Sequence, residues 1–251
     1  MSLNFEELDY QPTELGELIL RRRRMASLEG AEVFEIKLGD SFLMSSLFNK
    51  VEIALTDLAL AELSDDGRCS RGAMSPRKSL DVVVGGLGLG YTARAALDNK
   101  SVRSLIVIEA LSPVIDWHRR GLVPLGAHLT ADPRCRFVQG DFFHLVDSQG
   151  LDPENLDSRF HAILLDIDHS PRNLLHPRHA TFYESAGLRQ VASHLQPGGV
   201  FAMWSDDPPD EEFLKSLDLA FGNSRAHIVT FPNPLLETES ASTVYVARTA
   251  E

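Results

Sequence analysis

Cysteine, basic charge and long apolar runs are what this chain has little of. Cysteine occurs twice in 251 residues. Cys69 and Cys135 form neither a disulfide framework nor a metal-ligand pattern, which fits a reducing, cytoplasmic compartment. No apolar run approaches the roughly 20 residues of a membrane span, and Met1-Ser2-Leu3-Asn4 opens no basic, apolar signal peptide. Acidic residues outnumber basic ones by 36 to 24, for a net charge of −12. That balance argues against a nucleic-acid backbone as principal ligand and is compatible with a small cation. The histidines, His176 and His179 among them, assemble no metal site. A Gly-x-Ser-x-Gly elbow and a Walker-type Gly-Lys-Ser/Thr are also missing, so hydrolase and phosphotransferase readings lack their central residues.

What is present begins at Leu80-Asp81-Val82-Val83-Val84-Gly85-Gly86-Leu87-Gly88-Leu89-Gly90. This reads as a buried strand, a glycine turn, and a helix opening at Tyr91-Thr92-Ala93. Glycines at alternate positions, Gly86, Gly88 and Gly90, let the backbone turn sharply and approach a ligand with no Cβ in the way. The next apolar run, Val102 to Ile108, delivers Glu109 about 20 residues beyond, where a carboxylate can hold ribose hydroxyls. Strand, glycines, helix, strand and acid in this order are the front of a nucleoside-binding α/β domain.

The chain divides into a small β-rich N-terminal domain over 1–49, a helix and polar linker over 50–79, and the α/β domain over 80–251. In the first part, segments 15–20, 31–38 and 41–44 read as strands, with turns at Gly30 and Gly39-Asp40. Arg21-Arg22-Arg23-Arg24 reads as a solvated hairpin end with acidic neighbours Glu14, Glu17 and Glu29 rather than a nucleic-acid patch. Ile53, Leu55, Leu58, Leu60 and Leu63 suit a helix packed on one side. Ser64–Ser79 is polar and reads as a linker or lid.

Further on, strands are expected near 81–85, 103–108, 135–138, 160–166 and 198–204, and helices near 91–98, 112–120, 179–194 and 209–221. Such alternation implies a parallel sheet covered on both faces. Ala226–Phe231 and Ser242–Ala247 are two strands with no helix between, hence an antiparallel hairpin at one edge. A doubly wound, mostly parallel, seven-stranded sheet closed in this way is the layout of class I S-adenosylmethionine-type transferases, a methyltransferase-like Rossmann fold.

Ligands of open α/β sheets sit outside the carboxyl ends of the strands. The residues there are the glycine turn, Glu109, Gly140-Asp141-Phe142-Phe143, Asp166-Ile167-Asp168-His169 and Asp206-Asp207. Asp141 suits an adenine amino group, with Phe142 covering the ring face. Asp166 ends an apolar strand, where a buried charge is costly and wants a purpose. Asp206 and Asp207 precede Pro208-Pro209 and read as caps of the next helix. This array suits alkyl transfer from a sulfonium to an amine. A sulfonium is already activated, so the protein has to align the nucleophile and take its proton. Asp166 can hold an ammonium and then accept that proton; His169 is a second candidate base, or a loop histidine without a role.

The order of motifs resembles the spermidine synthase (polyamine aminopropyltransferase) family from about Asp40 to Arg248. The matching pieces are the glycine turn, Ile108-Glu109, Gly140-Asp141, Leu165-Asp166, Phe182-Tyr183 and Leu195-Gln196-Pro197-Gly198-Gly199-Val200-Phe201, after a β-rich N-terminal region. The resemblance implies Glu109 on ribose, Asp141 on adenine and Asp166 beside the attacking amine. It also implies Asp168, His169, Tyr183 and Asp57 near the acceptor, no metal, and a homodimer. The donor would be decarboxylated S-adenosylmethionine and the acceptor an amine or polyamine. Three departures stand out: the glycine turn carries no acid, Leu55-Thr56-Asp57 stands where a Tyr-His-Glu-like group is expected, and His169 stands where a second acid is expected. Methyl transfer from intact S-adenosylmethionine, or a non-catalytic nucleoside-binding protein, are the alternatives.

Overall fold

The computed structural model describes residues 4–64, 79–148 and 150–250. Polar and apolar residues alternate through the first four strands, β1 (Phe5–Thr13), β2 (Gly16–Met25), β3 (Ala31–Leu38) and β4 (Ser41–Ser45), which form an antiparallel meander in that order. Leu18 and Leu20 of β2, with Val33, Ile36 and Leu38 of β3, are its buried apolar residues. The arginine run is not a hairpin end as expected but lies inside β2. Register chooses its partners: Glu35 stands opposite Arg21, Glu6 opposite Arg22 and Glu32 opposite Arg24, each as an ion pair.

Helix α1 (Lys50–Ser64) leads to the described part of the main sheet, β5 (Leu80–Gly85), β6 (Val102–Glu109), β7 (Cys135–Gln139), β8 (Phe160–Leu165), β9 (Leu195–Ser205), β10 (Asn223–Asn233) and β11 (Thr238–Arg248). The spatial order is β10-β11-β9-β8-β5-β6-β7. Strands β5 to β9 pair in parallel, and β11 runs antiparallel between β9 and β10. This is the doubly wound layout expected from the sequence. Its central strands are apolar on consecutive residues because both faces are covered. Val82, Val84, Leu105 and Val107 point to one core, which includes α1 and α2 (Tyr91–Asp98); Val83, Ile106, Ile108 and Ile163 point to the other.

The remaining helices are α3 (Ser112–Arg119), α4 (Gly126–Ala131), α5 (Phe142–Ser148), α6 (Ser185–Ser193) and α7 (Glu211–Phe221). Two readings change. The helix expected over 179–194 is a 3-10 segment, Pro177–Tyr183, followed by α6. And α7 is capped by Asp210, whose carboxylate accepts from the backbone N–H of Glu212 and Phe213, not by Asp206 or Asp207. The lid reading of Ser64–Ser79 lies outside the described residues. No helix among the described residues is long and apolar enough to cross a membrane.

Candidate active site

Strand order reverses beside β5, whose neighbours are β6 and β8, so connections leave on opposite faces and open a crevice at the strands' carboxyl ends. A cavity of about 560 Å3 occupies that place. The glycine turn forms its floor. Gly86 has φ +96°, and a Cβ there would stand 2.1 Å from the carbonyl oxygen of Asp166, so turn and β8 loop touch only because Gly86 has no side chain. Gly88 (φ +47°) lies under the Met44 thioether of β4, where a Cβ would come within 2.6 Å of the sulfur. Thus the N-terminal sheet rests directly on the turn. From below, fully buried His118 of α3 donates through Nε2–H to the Gly88 carbonyl at 2.9 Å. Burial lowers its pKa to about 4. Gly90 starts α2 and packs on Leu129 and His118; it is not part of the cavity wall.

Beside the glycine turn, Glu109 accepts from the backbone N–H of Leu87 at 3.0 Å and of Leu111 at 2.8 Å, one per carboxylate oxygen. Burial pushes its pKa up and these amides pull it back. Asp141 accepts from the Phe143 N–H at 3.0 Å and pairs with Arg178 at 2.9 Å. Phe142 and Phe143 follow it at the wall, Phe143 stacking on His179 with ring centroids 3.9 Å apart.

Two further carboxyl groups, those of Asp166 and Glu52, line the cavity. Asp166 is positioned by its backbone N–H, which donates to Gly85, and by the Thr92 hydroxyl, which donates to Oδ2 at 2.7 Å. Glu52, in the first turn of α1, lines the same space. Burial lifts Asp166 to about 6 despite Thr92, and burial together with the Asp166 charge lifts Glu52 to about 8. Both groups are thus held toward their protonated forms, and a bound cation would favour the carboxylates. The Glu52 charge also reaches Tyr91, the first residue after the glycine turn. Glu52 thus faces both the turn and Asp166. Sequence reasoning passed over it and chose Asp57, which is exposed and absent from the wall. The missed signal was spacing: Glu52 lies three and four residues before buried Leu55 and Thr56, on the inward stripe of α1.

Asp168 and Tyr183 do not reach the cavity either. Asp168 is 2% exposed and accepts from the Leu175 N–H, the His179 ring and the Tyr183 hydroxyl. It anchors the loop that carries Arg178 and His179. His169 does line the cavity, beside Trp204. Asp206, exposed at the rim, lines it too. Among the described residues no cluster of three or more His, Cys, Asp or Glu suits a metal ion.

No protein-family model matches the chain. It is 27% identical over 159 residues to polyamine aminopropyltransferase 2 of Pseudomonas aeruginosa, covering 61% of this chain and 43% of that protein. It is 30% identical over 127 residues to polyamine aminopropyltransferase of Prochlorococcus marinus, covering 51% and 40%. The matched stretches span less than half the length of these relatives. In structure, spermidine synthase from Thermotoga maritima superposes with a TM-score of 0.70 at 16% identity, over 97% of this chain and 73% of the other. A spermidine synthase in complex with the transition-state analogue AdoDATO gives 0.69 at 15%, over 98% and 73%. The chain therefore has the fold of the spermidine synthases, and its sequence is similar to that of the polyamine aminopropyltransferases.

Proposed function

We propose that this protein is a transferase that moves the aminopropyl group of decarboxylated S-adenosylmethionine to an amine. The observation that carries the reading is one cavity lined together by the glycine turn, Glu109, Glu52 and Asp166. Glu109, lining the cavity beside the turn, suits the ribose hydroxyls, and Asp141 with Phe142 suits the adenine. Glu52 takes the part of the acid that the glycine turn lacks and holds the terminal ammonium of the donor's aminopropyl arm. An intact donor would bring its own carboxylate to Glu52 and Asp166, and like charges repel. That favours aminopropyl over methyl transfer.

Asp166 acts on the acceptor. It attracts the ammonium form, accepts its proton, and leaves a neutral amine aligned for in-line attack on the carbon beside sulfur. The new C–N bond forms as the C–S bond breaks, its electron pair returning to sulfur to give methylthioadenosine. Asp166→Asn keeps the shape and removes both charge and base. Turnover should fall by at least about 10², while methylthioadenosine affinity stays unchanged. Turnover that survives in Asp166→Asn but is lost in His169→Ala would move the base to His169.

A further inference from the structure

We infer that the acceptor is a primary amine carrying an apolar, preferably aromatic, body rather than a linear diamine or polyamine. The inference rests on the transferase reading and assigns the half of the cavity that the nucleoside leaves free. Pairing register defines its floor. Trp204 of β9 stands opposite Val244 of β11, and Ser240 of β11 stands opposite Phe231 of β10. Alternate residues of a strand share a face, so Trp204, Ser242, Ser240 and Phe231 all look the same way, toward α1. The α1 side answers with Phe48, whose ring lies 5.9 Å from that of Phe231, and with Val51.

A count of charges decides between acceptors. The donor brings two positive centres, the sulfonium and the aminopropyl ammonium, and the acceptor brings the amine that reacts. Glu52 and Asp166 are the two buried-side carboxylates that face them. A diamine of four carbons would place a second ammonium roughly 6 Å further on, against Phe48, Trp204 and Phe231. Stripping water from that charge is costly unless an anion replaces it. Among the described lining residues of this half, Asp206 is the one remaining acid, and it is exposed at the rim, where an ion pair contributes little. An aromatic or alkyl body, by contrast, gains from every ring it covers.

Amine binding should be measured by calorimetry on the full chain saturated with decarboxylated S-adenosylhomocysteine, the unreactive thioether that keeps the aminopropyl ammonium and so occupies Glu52. We expect 2-phenylethylamine to bind at least about tenfold more tightly than 1,4-diaminobutane. Phe231→Glu, which places an acid where the second ammonium would lie, should reverse that order. Equal or tighter binding of the diamine by the unaltered protein overturns the inference, as does binding of neither amine. Turnover with decarboxylated S-adenosylmethionine is scored separately. Tight monoamine binding without turnover counts against the transferase reading and still supports the acceptor class.

Discussion

Glu109 meets two backbone amides before any ligand arrives, so its carboxylate is held in place and needs no reorganisation on binding. Ribose hydroxyls donating to it are charge-assisted bonds of about 1.5–3 kcal/mol each. Glu109→Ala should weaken methylthioadenosine by roughly tenfold or more, and unchanged affinity in a folded variant would remove the nucleoside site. Glu52 makes a different statement, one about pH. Its carboxyl is lifted from 4.5 to about 8 by burial and by Asp166. The folded protein therefore binds that proton more tightly than the unfolded chain does. The stability it contributes is complete below about pH 4.5 and is lost as pH rises through about 8. In thermal melts the ligand-free protein should lose stability between about pH 4.5 and 8, and Glu52→Gln should flatten the decline. Binding of an ammonium should show the opposite trend, tightening over the same interval as the carboxylates become available.

The elements matter through how closely they meet. The glycine turn and the β8 loop are in contact at one point, where Gly86 faces the Asp166 carbonyl. Gly86→Ala puts a methyl 2.1 Å from that oxygen at a positive φ. The two segments must part, and the strain alone is of order 1–3 kcal/mol. Activity should fall further than stability does, because Asp166 moves with its backbone; a variant with lower melting temperature but normal turnover would contradict this. Strands β5 to β9, the hairpin and the glycine turn were readable in the sequence because buried parallel strands and sharp turns leave strong local patterns. Strand β1 was not: its sequence is polar, it lies at an edge, and a bulge between Glu7 and Asp9 interrupts its alternation. Asp168 looked like a ligand acid by position alone. Only the folded loop reveals that its acceptor sites are filled by Leu175, His179 and Tyr183. Glu52 was hidden because it reaches Asp166, 114 positions later, through the packing of α1 on the sheet.

For the whole molecule, a net charge of −12 and a cavity with five acids make a field that draws cations. Encounter with a cationic donor should be accelerated at low salt. Raising ionic strength from about 20 to 200 mM shortens the screening length well below the size of the protein. kcat/KM for the donor should fall several-fold while kcat holds, and a flat salt profile would exclude steering. The N-terminal sheet belongs to the same unit: Met44 covers the glycine turn, and the Trp117 ring N–H of α3 donates to Asp9 of β1 at 2.6 Å. Finally, β11 follows β10 in the chain, yet it lies between β9 and β10. On the ribosome β10 therefore has no partner until β11 emerges, and the edge of β9 from Val200 to Ser205 stays unpaired meanwhile. At about 5–20 residues per second, the 43 positions from Ser205 to Arg248 take roughly 2–9 s to synthesise. During that interval an apolar strand edge is open to wrong pairing, and the wall bearing Phe231 and Ser240 does not yet exist. That wall of the cavity thus closes only after β11 has emerged, later than the glycine turn and the parallel strands beside it.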